Sequence, residues 1–445
     1  MLLTQIRLVQ TLRSYATAAT AIRRPIRAAN MPDLNELLGS SEDVYIKRRP
    51  LPTTTSLKYT IPSDPYLLAT KFQKMIHEGK TDDAVAIVMQ AKTRCQSDVL
   101  WNLVIDAYAK KGRLSKALRA STEMRRRGFQ PTQTTFTALL KACALSDGEK
   151  SLPMAENIYR SIADSGVEPS IIHVNALLSV YQHKHKLHSI LAIYNRLPAG
   201  GPMAPTLTTY TLLLSTLRRE LNMRIDDLKK EPMEQDVQLK DKRMRLDRRT
   251  AHIKQNMRSV FDTMMLAWHS YVDDAARRID NPDYDSTYPL YIDAHIVNVV
   301  LRSCHAVYGI NRALGRKGLK IAEQVYGMDK TMGRPESSSN AVSSKAAEAT
   351  QLLPVAVRIR SPEHRKGVKE MSKYDVLNID TIDLVLELCK RDKEPTKAVR
   401  FWQSLETHFA DDLEPLRANF TDRIEAFRSQ IVRNPNAKRS KPIDP

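Results

Sequence analysis

Across residues 98–132, apolar side chains recur three and four positions apart. Trp101, Val104, Ile105 and Tyr108 form one group, and Leu114, Ala117, Leu118 and Met124 a second. That spacing gathers each group on one face of an α-helix. "KKGR" at 110–113 divides the groups with a Gly near the end of the first helix, and Gly128 followed by Pro131 ends the second. The pattern predicts a helical hairpin of 35 residues.

The phrase that closes this hairpin returns. "MRRRGFQPTQTTFTALLKA" at 124–142, "ADSGVEPSIIHVNALLSV" at 163–180 and "GGPMAPTLTTYTLLLST" at 200–216 align on Pro131, Pro169 and Pro205, 38 and 36 residues apart. Each carries a large apolar residue, Phe136, Val174 or Tyr210, followed by Thr137, Asn175 or Thr211; one period upstream stand Trp101 and Asn102. The units are 98–132, 133–170, 171–206 and a first helix from 207, with a weaker capping unit at 65–97. The extra residues of the second unit, around "SDGEKS", fit the turn between its helices. A lone hairpin cannot bury both apolar faces, so the units are expected to stack into a solenoid with one exposed groove.

A 35-residue helix pair with an aromatic-then-Asn start, a "KKGR" turn, Ala-Leu in its second helix and an "M-x-x-x-G-x-x-P" ending resembles the pentatricopeptide repeat. Tetratricopeptide hairpins run 34 residues without that ending in every unit. The expected fold is all-α, a superhelical α-α solenoid of pentatricopeptide-type hairpins.

In arrays that take one RNA base per repeat, two or three side chains of each unit read the base edge. The resemblance implies that the readers are the residue after the aromatic, here Asn102, Thr137, Asn175 and Thr211, and the last residue of each unit, Thr132, Ser170 and Thr206. Asn offers a donor and an acceptor to a pyrimidine, and the shorter Thr leaves room for a purine. Val99, Thr134, Ile172 and Thr208, second in each unit, are implied to clamp bases by packing. The family's Asp or Asn at the closing position is replaced by Ser or Thr in all three units, which weakens the expected readout. The same Asn and Thr residues also suit a helix cap. Lys110, Lys111, Arg113, Arg125, Arg126 and Arg127 are candidate phosphate contacts or solvated charges.

Past residue 217 the pattern changes. The expected organisation is a presequence at 1–32, an extended or disordered linker at 33–64, the repeat array at 65–217 and a diverged extension at 218–330. A Ser-rich, basic loop at 331–377, a C-terminal hairpin at 378–430 and a disordered basic tail at 431–445 follow. The extension begins with mixed charge at i, i+4 spacing, which predicts a long exposed helix, broken near Pro232. Segments starting at Asp293 and Asn378 look like further diverged hairpins.

Composition agrees with helices: 14 Gly in 445 residues, 42% hydrophobic. A net charge of +19 favours a polyanionic partner, nucleic acid first. Residues 1–32 hold Arg7, Arg13, Arg23, Arg24 and Arg27 and no acid, on an amphipathic pattern that resembles a mitochondrial presequence. No apolar run approaches the roughly 18 residues a membrane span needs. Cys95, Cys143, Cys304 and Cys389 are far apart, which predicts isolated buried thiols rather than a zinc site or disulfides.

No nucleotide-binding, hydrolase or deaminase signature is present. The acids of "DDAARRIDNPDYDS" and the histidines of "HKHKLH" at 183–188 read as solvated loop and turn residues. The expectation is therefore a non-catalytic binder of single-stranded mitochondrial RNA, with no cofactor or metal, acting in the matrix. The RNA would be a small-subunit rRNA precursor or an mRNA, and the mitoribosomal small subunit a further partner. The alternative is a structural mitoribosomal subunit or assembly scaffold.

Overall fold

The computed structural model describes residues 59–230, 240–280, 290, 292–327 and 377–433. The expected presequence, most of the linker, nearly all of the Ser-rich loop and all but the first residues of the tail lie outside the described residues. The chain divides into two compact units, one holding residues 25–213 and 285–288, the other the remainder.

The first unit is a run of helical hairpins: α1 (Pro65–His77) and α2 (Thr81–Gln90), α3 (Asp98–Lys110) and α4 (Leu114–Arg126), α5 (Gln133–Leu145) and α6 (Ser151–Asp164), α7 (Ile171–His183) and α8 (Leu187–Tyr194). A further helix, α9 (Leu207–Lys230), starts in this unit. The helices α3, α5, α7 and α9 begin on the first residue of each unit read from the sequence. The first helices α3, α5 and α7 pack side by side, and each hairpin's second helix packs on its own first helix. This is the α-α solenoid arrangement, in which each hairpin buries its apolar faces on its neighbours.

The start and stop signals act as expected. Ser97 caps α3 by accepting a hydrogen bond from the Leu100 N–H at 3.2 Å, and Thr132 and Ser170 form capping boxes at the starts of α5 and α7. Gly112 ends α3 at φ +64, where a Cβ would stand 2.7 Å from the Leu145 carbonyl oxygen. Conformation and contact both require glycine there. The fourth residue of each first helix, Leu68, Trp101, Phe136, Val174 or Tyr210, is buried to within 1% exposure, so the refrain's large apolar position is the core of the stack. The Trp101 indole N–H donates to Gln96 at 3.2 Å, and the Arg127 guanidinium lies 5.5 Å from the ring centroid.

The second unit also contains hairpins. α10 (Lys240–Asp280) is followed by α11 (Ala294–Tyr308), the short α12 (Arg312–Gly315) and α13 (Lys317–Tyr326), then α14 (Ile379–Asp392), α15 (Pro395–His408), α16 (Ala410–Leu413) and α17 (Arg417–Arg433). The expectation of a long exposed helix needs correction. α10 is long, but Phe261, Met264, Trp268, Tyr271 and Ala275 are buried at helical spacing, so its C-terminal half is a core element. The mixed-charge stretch that suggested exposure, residues 218–268, already contains Phe261, Met264 and Trp268 of this apolar stripe. The expected hairpins at Asp293 and Asn378 are present as α11 with α12 and α13, and as α14 with α15. Asp392, almost fully buried, accepts hydrogen bonds from Tyr308 at 2.9 Å, Arg312 at 3.1 Å and Arg316 at 2.6 Å, which ties the end of α14 to the end of α11 and to α12. Burial pushes its pKa up, and these three donors outweigh that, holding the carboxyl below the usual aspartate range.

All four cysteines are buried and unpaired, and burial pushes the thiols of Cys143, Cys304 and Cys389 up to about 12. No helix among the described residues is long and apolar enough to cross a membrane.

Candidate functional site

Positions two and five of a helix share a face, and on α3, α5, α7 and α9 that face carries the predicted residues. The predicted clamps Val99, Thr134, Ile172 and Thr208 are all exposed, Val99 to 59% and Ile172 to 42%. Beside them stand Asn102, Thr137 and Thr211, half-buried, and Asn175, nine-tenths buried.

Asn102 sits at a polar junction between successive units. Its Nδ2 donates to the Thr132 hydroxyl at 3.0 Å, and its Oδ1 accepts from the Thr135 hydroxyl at 2.5 Å. The Thr132 backbone N–H donates to the Thr135 Oγ1 at 2.9 Å, closing the capping box of α5. Asn175 repeats the arrangement: its Nδ2 donates to Thr206 at 2.9 Å, its Oδ1 accepts from Thr209 at 2.6 Å, and the Thr206 N–H donates to Thr209 at 3.0 Å. A carboxamide has two N–H donors and two acceptor lone pairs. Each of these Asn side chains therefore keeps one donor and one acceptor with no partner among the described residues.

The Thr-bearing units differ. Thr137 donates its hydroxyl proton to the Gln133 carbonyl at 2.9 Å, and Thr211 to the Leu207 carbonyl at 2.8 Å. A hydroxyl whose proton is so committed offers a ligand acceptors only. Ser170, the closing residue after Thr137, meets His173 where the other junctions have Thr. Its backbone N–H donates to His173 Nδ1 at 3.1 Å, and His173 Nε2 reaches the Gln133 carbonyl at 3.2 Å. That fixes a neutral imidazole with its proton on Nε2. Burial lowers its pKa, against the opposing effect of the Gln133 hydrogen bond.

Further along the same faces, Asp106 on α3 pairs with Lys110 at 2.8 Å and with Lys141 of α5 at 3.2 Å. Burial raises the Asp106 pKa, and the two lysine hydrogen bonds outweigh it, so the carboxylate is held below its usual range. Two cations flank one anion here, a net positive row beside the Asn and Thr positions.

The other predicted phosphate contacts are mostly engaged. Lys111 donates to the Thr81 hydroxyl, Arg113 lies 3.5 Å from Asp82, and Arg126 lies 3.4 Å from Glu123. Arg127 donates to Glu123 at 2.9 Å and to the Met89 carbonyl at 3.0 Å beneath Trp101, the environment of a packing residue. Arg125 is exposed and has no ion-pair partner among the described residues.

The sequence reading missed two residue sets. The N3 threonines Thr135 and Thr209 are visible only as the fourth residue of the "TQTT" and "TLTT" phrases, and nothing in periodicity singles them out. The second set is in the other unit, where Asn298 of α11 donates to Asn378 Oδ1 at 3.0 Å and accepts from Thr381 at 2.8 Å. Asn298 follows Val297 rather than an aromatic, and its closing residue is 80 positions away, so alignment on a fixed period does not find the pair. Asn298 is only 4% exposed. Among the described residues, no group of three or more His, Cys, Asp or Glu side chains is placed to hold a metal ion.

Comparison with known proteins agrees with the hairpin geometry. Residues 96–144 match the PPR repeat family and residues 157–219 the pentatricopeptide repeat domain. Among curated proteins, a putative pentatricopeptide repeat-containing protein of Arabidopsis thaliana is 24% identical over 151 residues, 33% of this chain and 19% of that protein. A second Arabidopsis pentatricopeptide repeat-containing protein is 26% identical over 38% of this chain and 18% of its own length. A third, whose name includes "mitochondrial", is 26% identical over 32% of this chain and 13% of its own length. The match thus spans less than a fifth of each of these relatives. Among solved structures, the pentatricopeptide repeat protein PPR10 from maize aligns with 85% of this chain and 55% of its own, at 17% identity and a TM-score of 0.30. PPR10 in complex with an 18-nt psaJ RNA element gives the same identity and TM-score over 77% of this chain and 54% of its own. Residues 96–144 and 157–219 thus match pentatricopeptide repeats.

Proposed function

We propose that this protein binds single-stranded RNA along the face made by the first helices of its repeats, one base per repeat, without catalysing a reaction. The observation that carries the reading is the recurring Asn junction. Asn102 and Asn175 each keep a donor and an acceptor beside an exposed apolar residue, Val99 or Ile172, that suits the face of a base. An unstacked base needs both an edge partner and a packing surface. Thr137 and Thr211 in the alternate units present acceptors only, so neighbouring bases meet different edges. The Lys110, Asp106 and Lys141 row and the chain's +19 charge supply attraction for the backbone.

The proposed setting is the mitochondrial matrix, on the Arg-rich, acid-free pattern of residues 1–32, and the proposed role is maturation of small-subunit rRNA or the stability and splicing of mRNA. The direct test is titration of the full chain with fluorescent single-stranded RNA and with duplex DNA at several salt concentrations. Salt-sensitive binding that favours the single strand is expected; equal affinity for duplex DNA, or none for RNA, rejects the reading. Sedimentation of mitochondrial extracts separates a maturation factor, which leaves mature ribosomal particles, from a structural subunit, which stays with them.

A further inference from the structure

We propose that Tyr66, in the capping hairpin ahead of the base-reading units, is a stacking seat for one further RNA base, which it holds whatever that base is. The proposal rests on the RNA-binding face proposed above and extends that face by one nucleotide at its α1 end.

Among the described residues, Tyr66 is the one Phe, Tyr or Trp that is exposed, to 77%; every other is buried or half-buried. The fold does not need its ring, because α1 fills its share of the core with Leu68, Phe72 and Met75. Tyr66 is second in α1, the place of Val99 in α3, Thr134 in α5 and Ile172 in α7. α1 packs on α3 as α3 packs on α5, and Leu68 is buried at position four like Trp101 and Phe136. The row of exposed position-two side chains therefore begins at Tyr66, one repeat before Val99. Its neighbour Leu67, at position three, is 57% exposed, whereas Leu100, Thr135 and His173 at that position are buried by the preceding hairpin. Among the described residues no hairpin precedes α1, which accounts for Leu67. It does not account for Tyr66, since position two is exposed in the following units as well.

The surroundings of the ring offer a base no edge partner. Position five of α1, where the next units carry Asn102, Thr137 and Asn175, is Ala69, whose side chain neither donates nor accepts. Thr70, one turn on from Tyr66, donates its hydroxyl to the Tyr66 carbonyl at 3.0 Å. Ser97, the closing residue of this hairpin, is engaged in capping α3. The Asp64 carboxylate caps α1 by accepting from the Leu67 N–H at 2.9 Å. What this unit presents is a planar face. Every base has a π-face, so stacking on an aromatic side chain holds all four bases, whereas edge contacts discriminate among them. The capping unit thus adds hold to the track without adding sequence preference.

The test measures the full chain on a single-stranded RNA selected from a randomised pool by the wild-type protein. Tyr66→Trp places an indole at the seat, and the chain's three other tryptophans, Trp101, Trp268 and Trp402, are buried, so RNA-dependent quenching reports on the new ring. Quenching is expected. Tyr66→Ala should weaken binding about tenfold, equally for all four bases at the end position, and Tyr66→Phe should bind like the wild type. Trimming the RNA one nucleotide at a time should erase the difference between Tyr66→Ala and wild type once the end base on one side is removed. Unquenched indole emission with unchanged affinity of Tyr66→Ala overturns the stacking seat while RNA binding stands. Blue-shifted indole emission before RNA is added also overturns it, because the ring is then covered by protein. A loss that depends on the end base overturns its indifference to sequence. If the wild-type chain binds no RNA, the RNA-binding reading is what fails.

Discussion

The junction at Asn102 and the junction at Asn298 use the same three-residue hydrogen-bond set, yet they differ in two respects. Asn102 meets its closing residue after 30 positions and is half-buried; Asn298 meets its own after 80 and is 4% exposed. The first helix packs against the next first helix in both places, α3 on α5 and α11 on α14. Repeat identity therefore lies in the polar stitch between consecutive first helices, and the length of chain between them is free to vary. Exposure differs as well: Asn102 is half-buried, whereas Asn175 is 9% and Asn298 4% exposed. The flanking charges differ too. Asp380, Asp383 and Glu387, which face outward along α14, are matched by Arg302, Arg423 and Arg391, whereas Asp106 on α3 is outnumbered by lysines.

The largest expected effects come from the core position both regions share. Trp101→Ala should cost about 3–5 kcal/mol and Ile382→Ala about 2–5 kcal/mol, because both side chains are fully buried. Denaturant unfolding followed by circular dichroism checks this. Similar losses support one architecture in both regions; a negligible loss at Ile382 would break the parallel.

Next is the pair of Asn substitutions. Asn298→Ala removes two hydrogen bonds from a dry site and leaves Asn378 and Thr381 bonded to each other, which costs about 1–3 kcal/mol, with RNA affinity unchanged. Asn102→Ala should cost less stability, since Asn102 and Thr132 are only half-buried, while weakening base discrimination. Thermal melts and RNA titrations of both variants reverse the functional assignment if the two effects are exchanged.

The third expectation concerns His173, the residue that distinguishes the middle junction. Its folded pKa lies below the ordinary histidine value, so at pH values between the two the unfolded chain binds a proton that the folded chain does not. Stability is whole above the unfolded pKa, near 6.5, and is lost as pH falls through that value toward the folded one. His173→Thr should flatten the profile of melting temperature against pH in this window; an unchanged slope would place the titration elsewhere. The smallest effect is expected at Arg126, exposed and, among the described residues, paired only with Glu123: Arg126→Ala should shift stability by under about 0.5 kcal/mol.

Much of this was legible in the sequence, and the reason is local. Helix starts at Asp98, Gln133, Ile171 and Leu207 are set by caps and turn glycines that lie within a few residues of them. The buried Trp101, Phe136, Val174 and Tyr210 recur at one phase of the repeat. The polar junctions were not legible, because Asn102 finds Thr135 only after two helices have folded back, and "TQTT" does not say which Thr points inward. α10 misled for a related reason. Its first two turns are so highly charged that they hide the stripe from Met257 to Ala275 which packs it. Arg127 looked like a phosphate ligand because a run of three arginines does not reveal that one of them lies against Trp101.

The central claim, one base per repeat read by the residue at position five, is tested most directly by selecting RNA from a randomised pool. The wild-type chain and the double variant Asn102→Thr with Asn175→Thr are selected in parallel. Asn102 and Asn175 lie in alternate units, so the account predicts altered preference at two bases separated by a single unaltered one. Identical selected sequences, or changes at adjacent bases, would contradict it.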